Sequence, residues 1–275
     1  MNYRHAFHAG NHTEVFKHSA LCLVLLELRK KPKPFMVLDT HAGAGIYDVL
    51  SPEALKTGEA QDGIGSILGK HVPAASAYLE IVRQLNPDGF SRYPGSPAIV
   101  QALLRRDDRL IACERHEDDA VRLRTTFRED RRISIHRRDG YEAIGAFVPP
   151  PSHRGIVFID PPFEQTDEFE RIAGALNSGL KKWPTGMFLA WYPLKDRSGI
   201  RTLRARYQSA NPPTLCCEFL REPLDGMRLA GSGLILCNPP WQFEAKLLAL
   251  CRELLAAFKA PTGSYALDWW IRQRA

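Results

Sequence analysis

No stretch of this 275-residue chain approaches the ~20 consecutive apolar residues that a membrane-spanning helix requires, so no membrane association is expected. The first residues, Met1-Asn2-Tyr3-Arg4-His5, lack the apolar segment of a signal peptide, and a cytoplasmic protein is the expectation. The six cysteines, at 22, 113, 216, 217, 237 and 251, contain no Cys-x-x-Cys pair, and several lie inside apolar runs. That pattern argues against a disulfide scaffold and for reduced core thiols. His5, His8, His12 and His18 fall within eighteen residues, yet no cysteine or acidic set accompanies them at zinc-like spacing, and no metal is expected. Internal repeats and low-complexity tracts are also missing. Acidic residues do not dominate: 37 Lys and Arg against 31 Asp and Glu leave a formal charge of +6, a balance that favours a polyanionic partner without proving one. Arg131, Arg132, Arg137 and Arg138 belong to a basic concentration over 122–138 that fits a solvated surface and an RNA-facing patch equally well.

What is present is a set of apolar strands that end on chemistry. Gly155-Ile156-Val157-Phe158-Ile159 runs directly into Asp160-Pro161-Pro162-Phe163. Two prolines after a buried strand remove backbone donors and fix φ, which makes a rigid shelf. On it the Asp160 carboxylate and the Pro161 carbonyl can address one amino group, beside the flat Phe163 ring. An exocyclic adenine amine is a poor nucleophile because its lone pair is delocalised, and acceptors on its hydrogens stabilise the charge it gains during attack. Taken alone, the tetrapeptide also fits a strand-ending turn capped by Asp.

Other strand ends agree. Phe35-Met36-Val37-Leu38-Asp39 enters Thr40-His41-Ala42-Gly43-Ala44-Gly45, whose glycines let backbone approach a nucleotide-like cofactor. Arg109-Leu110-Ile111-Ala112-Cys113 ends on Glu114, a carboxylate able to accept both hydroxyls of a ribose. Ile133-Ser134-Ile135-His136 is followed by Asp139-Gly140, placed to read the adenine of that cofactor. Asn238-Pro239-Pro240-Trp241 matches the same tetrapeptide pattern but follows the last of the strands, so it reads as a strand-to-helix turn with Pro near the first helical position.

Strands at 35–39, 109–113, 133–136, 155–159, about 186–191, about 214–220 and 231–237, with helical segments between most of them, predict an α/β fold with a mostly parallel sheet. The link 221–230 is too short for a crossover helix, so the last two strands should pair antiparallel. A helix is predicted over about 13–30, ended by Pro32 and Pro34. From Asp39 to Glu114 is 75 positions, where a βαβ unit reaches its ribose carboxylate in ~20. A small helical subdomain inserted at about 51–93, over the pocket, accounts for the excess in an otherwise single domain spanning 1–275. Trp269-Trp270 is expected in the core.

Tyr3-Arg4-His5-Ala6-Phe7-His8-Ala9-Gly10-Asn11-His12, Val15 with Lys17-His18, the 39–45 loop, Tyr93-Pro94-Gly95-Ser96-Pro97, Asp160-Pro161-Pro162-Phe163, Trp191-Tyr192-Pro193 and the late Asn238 tetrapeptide together resemble the RlmJ family of bacterial 23S ribosomal RNA adenine-N6 methyltransferases. The likeness covers nearly the whole chain. It implies a Rossmann-like, seven-stranded methyltransferase fold with an antiparallel last strand. It implies S-adenosylmethionine as cofactor, S-adenosylhomocysteine as product, and a monomer acting on 23S ribosomal RNA. By the same resemblance His18, His41, Ser96, Glu114, Asp139, Gly140 and Asp160 line the cofactor pocket, Asp160, Pro161 and Phe163 are catalytic, and Tyr3 touches the RNA. Phe163 stands where the family commonly has Tyr, which keeps base stacking and loses a phenol hydroxyl. Two other readings are a DNA adenine-N6 methyltransferase, since the tetrapeptide reads the amine and not the sugar, and a non-catalytic nucleic-acid-binding protein serving DNA uptake. A glutamine-directed protein methyltransferase is more distant, because that class usually has Asn where Asp160 stands.

Overall fold

Apolar strand runs without alternation need cover on both faces, and the sheet of this protein has it. The structure, a computed structural model, describes residues 8–272. Helix α1 (His12–Arg29) begins where the Asn11 side chain accepts from Thr13 N (3.0 Å) and Glu14 N (2.9 Å). It is buried around most of its circumference, as a helix packed on more than one side must be. Strand β1 (Met36–Asp39) follows, then a small antiparallel ribbon of β2 (Ile46–Asp48) and β3 (Arg92–Pro94) that encloses helices α2 (Pro52–Thr57) and α3 (Ser76–Leu85). Helix α4 (Ser96–Leu103) leads to β4 (Arg109–Cys113), α5 (Glu117–Phe127), β5 (Ile133–His136), α6 (Gly140–Phe147) and β6 (Gly155–Ile159). The chain continues through α7 (Glu168–Lys182), β7 (Met187–Leu194), α8 (Ser198–Arg206), β8 (Thr214–Leu220), β9 (Gly231–Cys237), α9 (Phe243–Phe258) and β10 (Ser264–Ile271).

The main sheet has the order β10-β8-β9-β7-β6-β1-β4-β5. Strands β5, β4, β1, β6 and β7 run parallel, and β9 enters antiparallel between β7 and β8. All seven expected strands form, and the short 221–230 link does produce an antiparallel pair, with Leu220 opposite Gly231. The strand count of seven is corrected: β10 adds an eighth, antiparallel to β8. It was missed because its edge position leaves Ser264, Tyr265, Ala266 and Asp268 exposed, which erases the apolar signal of a buried strand. Trp269 and Trp270 lie on this edge strand and are only partly buried, one packed on each face. Trp269 Nε1 donates to Glu244 (2.9 Å), and the Trp270 ring meets Tyr207 edge-on at 5.5 Å.

Alternation along the central strands divides the core. Val37, Ile156 and Phe158 pack with α1, α4 and α9, while Leu38, Val157 and Ile159 pack with α6 and α7 on the other face. Residues 51–93 lie against α1, where Ile64 N donates to Gly10 O (2.8 Å) and Glu59 accepts from Asn11 Nδ2 (2.9 Å). None of them lines the large cavity described below. No helix among the described residues is long and apolar enough to cross a membrane.

Candidate active site

Parallel pairing brings the carboxyl ends of β1, β4, β5 and β6 to one edge of the sheet, so that residues far apart in sequence share one opening. A cavity of about 910 Å³ lies there, within the range usual for ligand pockets. His18, His41, Ser96, Glu114, Asp139, Gly140, Asp160, Pro161 and Phe163 all line it. Tyr3 lies outside the described residues.

The loop after β1 supplies backbone. Gly43 sits at φ +60, and a Cβ there would stand 2.0 Å from Tyr47 Oη. Its N–H donates to Glu114 Oε2 (2.8 Å), while His116 N donates to Oε1 (2.6 Å), so Glu114 is braced on both oxygens. Burial raises the Glu114 carboxyl above its usual range, partly offset by those two backbone donors. His41 is pushed by burial down to about 4 and is therefore neutral at pH 7, its ring edge-on to Tyr141 at 5.2 Å. Ser96 Oγ donates to Asp39 Oδ2 (2.6 Å). Burial raises the Asp39 carboxyl to about 7. Asp139 caps α6 by accepting from Tyr141 N (2.9 Å) and faces Arg171 at 3.3 Å.

The end of β6 carries the charge. Lys17 Nζ donates to Asp160 Oδ2 (2.5 Å) and also pairs with Glu14, both acids being nearly buried. Burial alone would lower the Lys17 pKa, but the Asp160 and Glu14 carboxylates raise it above its ordinary value. Glu14, His18 and Asp160 offer ligand atoms within 4.8 Å of one another, and the Lys17 ammonium pairs with both of these carboxylates. His18 Nδ1 is 2.7 Å from Tyr93 Oη. Phe163 adopts φ +52, rare for a bulky residue, and its ring meets Trp191 at 5.7 Å and Phe169 at 5.0 Å, both edge-on. The Lys17 ammonium stands 4.9 Å from the Trp191 ring centroid.

Sequence reasoning missed Lys17, Glu14 and Trp191 as members of this site. A lysine inside an apolar helical run with Glu three positions earlier was the available signal, since a buried ammonium must have a partner. The second tetrapeptide is elsewhere. Because β9 is antiparallel, Asn238 follows Cys237 opposite Phe188 at the start of β7, whereas Asp160 follows Ile159 opposite Ala190. Asn238 Nδ2 donates to Pro184 O and Gly186 O, and α9 starts only at Phe243, so the prolines precede the first helical turn instead of opening it.

Sheet order and strand-end residues together define the Rossmann-like methyltransferase class. Comparison with known proteins narrows the class. The family described as "Ribosomal RNA large subunit methyltransferase D, RlmJ" matches residues 32–271. A protein of Escherichia coli (strain K12), named ribosomal RNA large subunit methyltransferase J, is 38% identical over 98% of this chain and 99% of its own length. Its namesake in Haemophilus influenzae is 34% identical over 98% of both chains. The crystal structure of protein LPL1258 from Legionella pneumophila superposes with a TM-score of 0.86 at 30% identity, covering 95% of this chain and 98% of that one. The chain belongs to the RlmJ family of ribosomal RNA large subunit methyltransferases.

Proposed function

We propose that this protein transfers a methyl group from S-adenosylmethionine to the N6 amine of one adenine in 23S ribosomal RNA. The observation that carries the reading is Asp160 at the end of β6, ion-paired to Lys17 and opening on the same cavity as Glu114 and Gly43.

The residues present fit the cofactor. A nucleoside with a charged sulfur needs an acceptor for its ribose, backbone it can approach and a neutral wall for its base. Glu114, braced by two N–H groups, serves the first; Gly43 and Gly140 serve the second; neutral His41 stands beside them. When bound, the cofactor supplies an electrophilic methyl group on a sulfonium.

The chain's own groups then act on the target base. Phe163 and Trp191, set edge-on, form an apolar corner where a base swung out of its stack recovers part of the unstacking cost of a few kcal/mol. Asp160 accepts a hydrogen of N6, and the Pro161 carbonyl is the second acceptor. This draws the nitrogen lone pair out of the ring and onto the attacking side. Lys17 holds Asp160 in place and balances its charge, so the carboxylate acts as a positioning acceptor, not a strong base, and the proton that N6 sheds once it is methylated passes to solvent. Tyr3 would contact the RNA. The protein works as a cytoplasmic monomer in this reading.

Incubation of the purified protein with labelled S-adenosylmethionine tests it. Naked 23S RNA should gain N6-methyladenine at a single position, and DNA of the same sequence should not. Equal labelling of DNA would favour the DNA methyltransferase reading. No labelling of either would remove the proposal.

A further inference from the structure

Asn238-Pro239-Pro240-Trp241 resembles the catalytic tetrapeptide yet lies at the edge of the sheet where the parallel strands begin, away from the cavity. Its loop is rigid. Asn238 and Gln242 hold left-handed backbone at φ 52 and φ 56, and Asn238 Nδ2 is tied to Pro184 O (2.8 Å) and Gly186 O (2.7 Å). Between these fixed points Trp241 is 79% exposed, more than any other large apolar side chain among the described residues. Strained backbone that holds an indole in water does nothing for the core.

The same edge is basic. Residues 29–34, which enter β1, are all exposed and include Arg29, Lys30, Lys31 and Lys33. Arg105 donates to Lys31 O (2.8 Å) and Lys33 O (3.1 Å), and Arg154 to Lys33 O (2.5 Å). Both guanidiniums lie over the Phe35 ring, at 5.4 and 5.9 Å. The loop backbone is thereby pinned to the body. Lys30 meets Glu27 at 2.9 Å, and Glu27 also pairs with Lys246 in the first part of α9, the helix that Trp241 leads into. At the catalytic edge several arginines face carboxylates: Arg171 faces Asp139, Arg137 faces Glu117 and Arg197 faces Glu218; at the rear edge Arg105 is matched by Asp108 in the same way. Cations matched by the protein's own acids attract a polyanion weakly, so exposed lysines elsewhere add to the attraction for RNA.

We propose that this rear edge is a second RNA-binding surface, in which Trp241 stacks on an unpaired base and the 29–33 loop holds the adjoining phosphates. The inference rests on the proposed RNA substrate. An aromatic platform beside a row of cations is how single-stranded RNA is held without sequence readout. Phosphate contacts of this kind position a substrate and do not specify it. A lone exposed indole suits a base better than a bilayer, which takes up an apolar face built from several side chains. RNA long enough to reach both edges binds more tightly than a fragment that only fills the pocket.

The test uses the full chain carrying Trp241→Ala or the pair Lys31→Glu/Lys33→Glu, with Lys31→Gln/Lys33→Gln in case charge reversal impairs folding. Affinity is measured over a salt series for a long 23S fragment and for a short hairpin holding only the target adenine. On the long fragment, Trp241→Ala should weaken binding about tenfold. The lysine pair should lower the slope of log K against log salt by about 1 to 2. Hairpin affinity, kcat at saturating RNA and binding of S-adenosylmethionine should match wild type. A wild type that methylates RNA while the variants keep full affinity and slope overturns this inference alone. Equal losses on the hairpin, or losses seen only with phosphatidylserine vesicles, overturn it as well. A wild type that neither binds nor methylates RNA overturns the functional reading and this one with it.

Discussion

Replacing Lys17 by methionine keeps the length of the side chain and removes a cation that bridges two nearly buried acids. Lys17, Glu14 and Asp160 are 2%, 3% and 10% exposed. Without the ammonium, Glu14 and Asp160 face each other with oxygens within 4.8 Å. At an effective dielectric constant of about 20, like charges at that distance repel by about 3 kcal/mol. Loss of the contact with Trp191 adds about 0.5–1 kcal/mol, so Lys17→Met should cost about 3–5 kcal/mol, the range found when one partner of a buried pair is removed. The sign of the pH effect follows. Like charges repel only while both are ionised, so protonation of either carboxyl at low pH relieves the repulsion. The deficit against wild type should therefore be larger at pH 8 than at pH 5. Urea unfolding of wild type, Lys17→Met, Glu14→Gln and the double variant measures this, and Glu14→Gln should return about half of the loss in the Lys17→Met background. A Lys17→Met protein within 1 kcal/mol of wild type at pH 8, or one that Glu14→Gln does not help, refutes the reasoning.

Three further outcomes are expected. Gly140→Ala would set a Cβ 2.1 Å from Thr40 O, so it should lower the unfolding free energy by about 1–3 kcal/mol and weaken S-adenosylmethionine binding, read by thermal unfolding and calorimetry. Asp39, whose carboxyl is raised to about 7 by burial, contributes stability that is present at low pH and lost as pH climbs towards 7. Asp39→Asn should accordingly flatten the stability profile between about pH 4 and 7, and an unchanged slope would count against the assignment. Phe163→Ala should raise KM for RNA by about five- to a hundredfold through lost stacking, while Phe163→Tyr stays near wild type, as steady-state kinetics would show.

Much of this architecture was legible because buried strands announce themselves. The 155–159 run has nothing but apolar residues after Gly155, and the strand forms over Gly155–Ile159 with every position buried. The predicted helix at about 13–30 forms at His12–Arg29, since Asn11 caps it and Pro32 and Pro34 prevent its extension. β10 escaped notice because Ser264 and Asp268, four positions apart on an exposed edge strand, leave no clean period. The strand-end carboxylates were legible for the same reason as the strands: each follows an apolar run. The pairing of Lys17 with Asp160 was not, because the two are 143 positions apart and only the fold joins them. The left-handed turn at Phe163 and the exposure of Trp241 also depend on tertiary anchoring that no local pattern encodes.

The central claim is that Asp160 grips the amine of the target adenine. It is tested most directly by mass mapping of 23S RNA after reaction with wild-type protein and with Asp160→Ala, each shown to bind S-adenosylmethionine. The account predicts one N6-methyladenine with wild type and at least a hundredfold slower methylation, on the order expected for a lost transition-state acceptor, with the variant. Methylation by Asp160→Ala at the wild-type rate would contradict it.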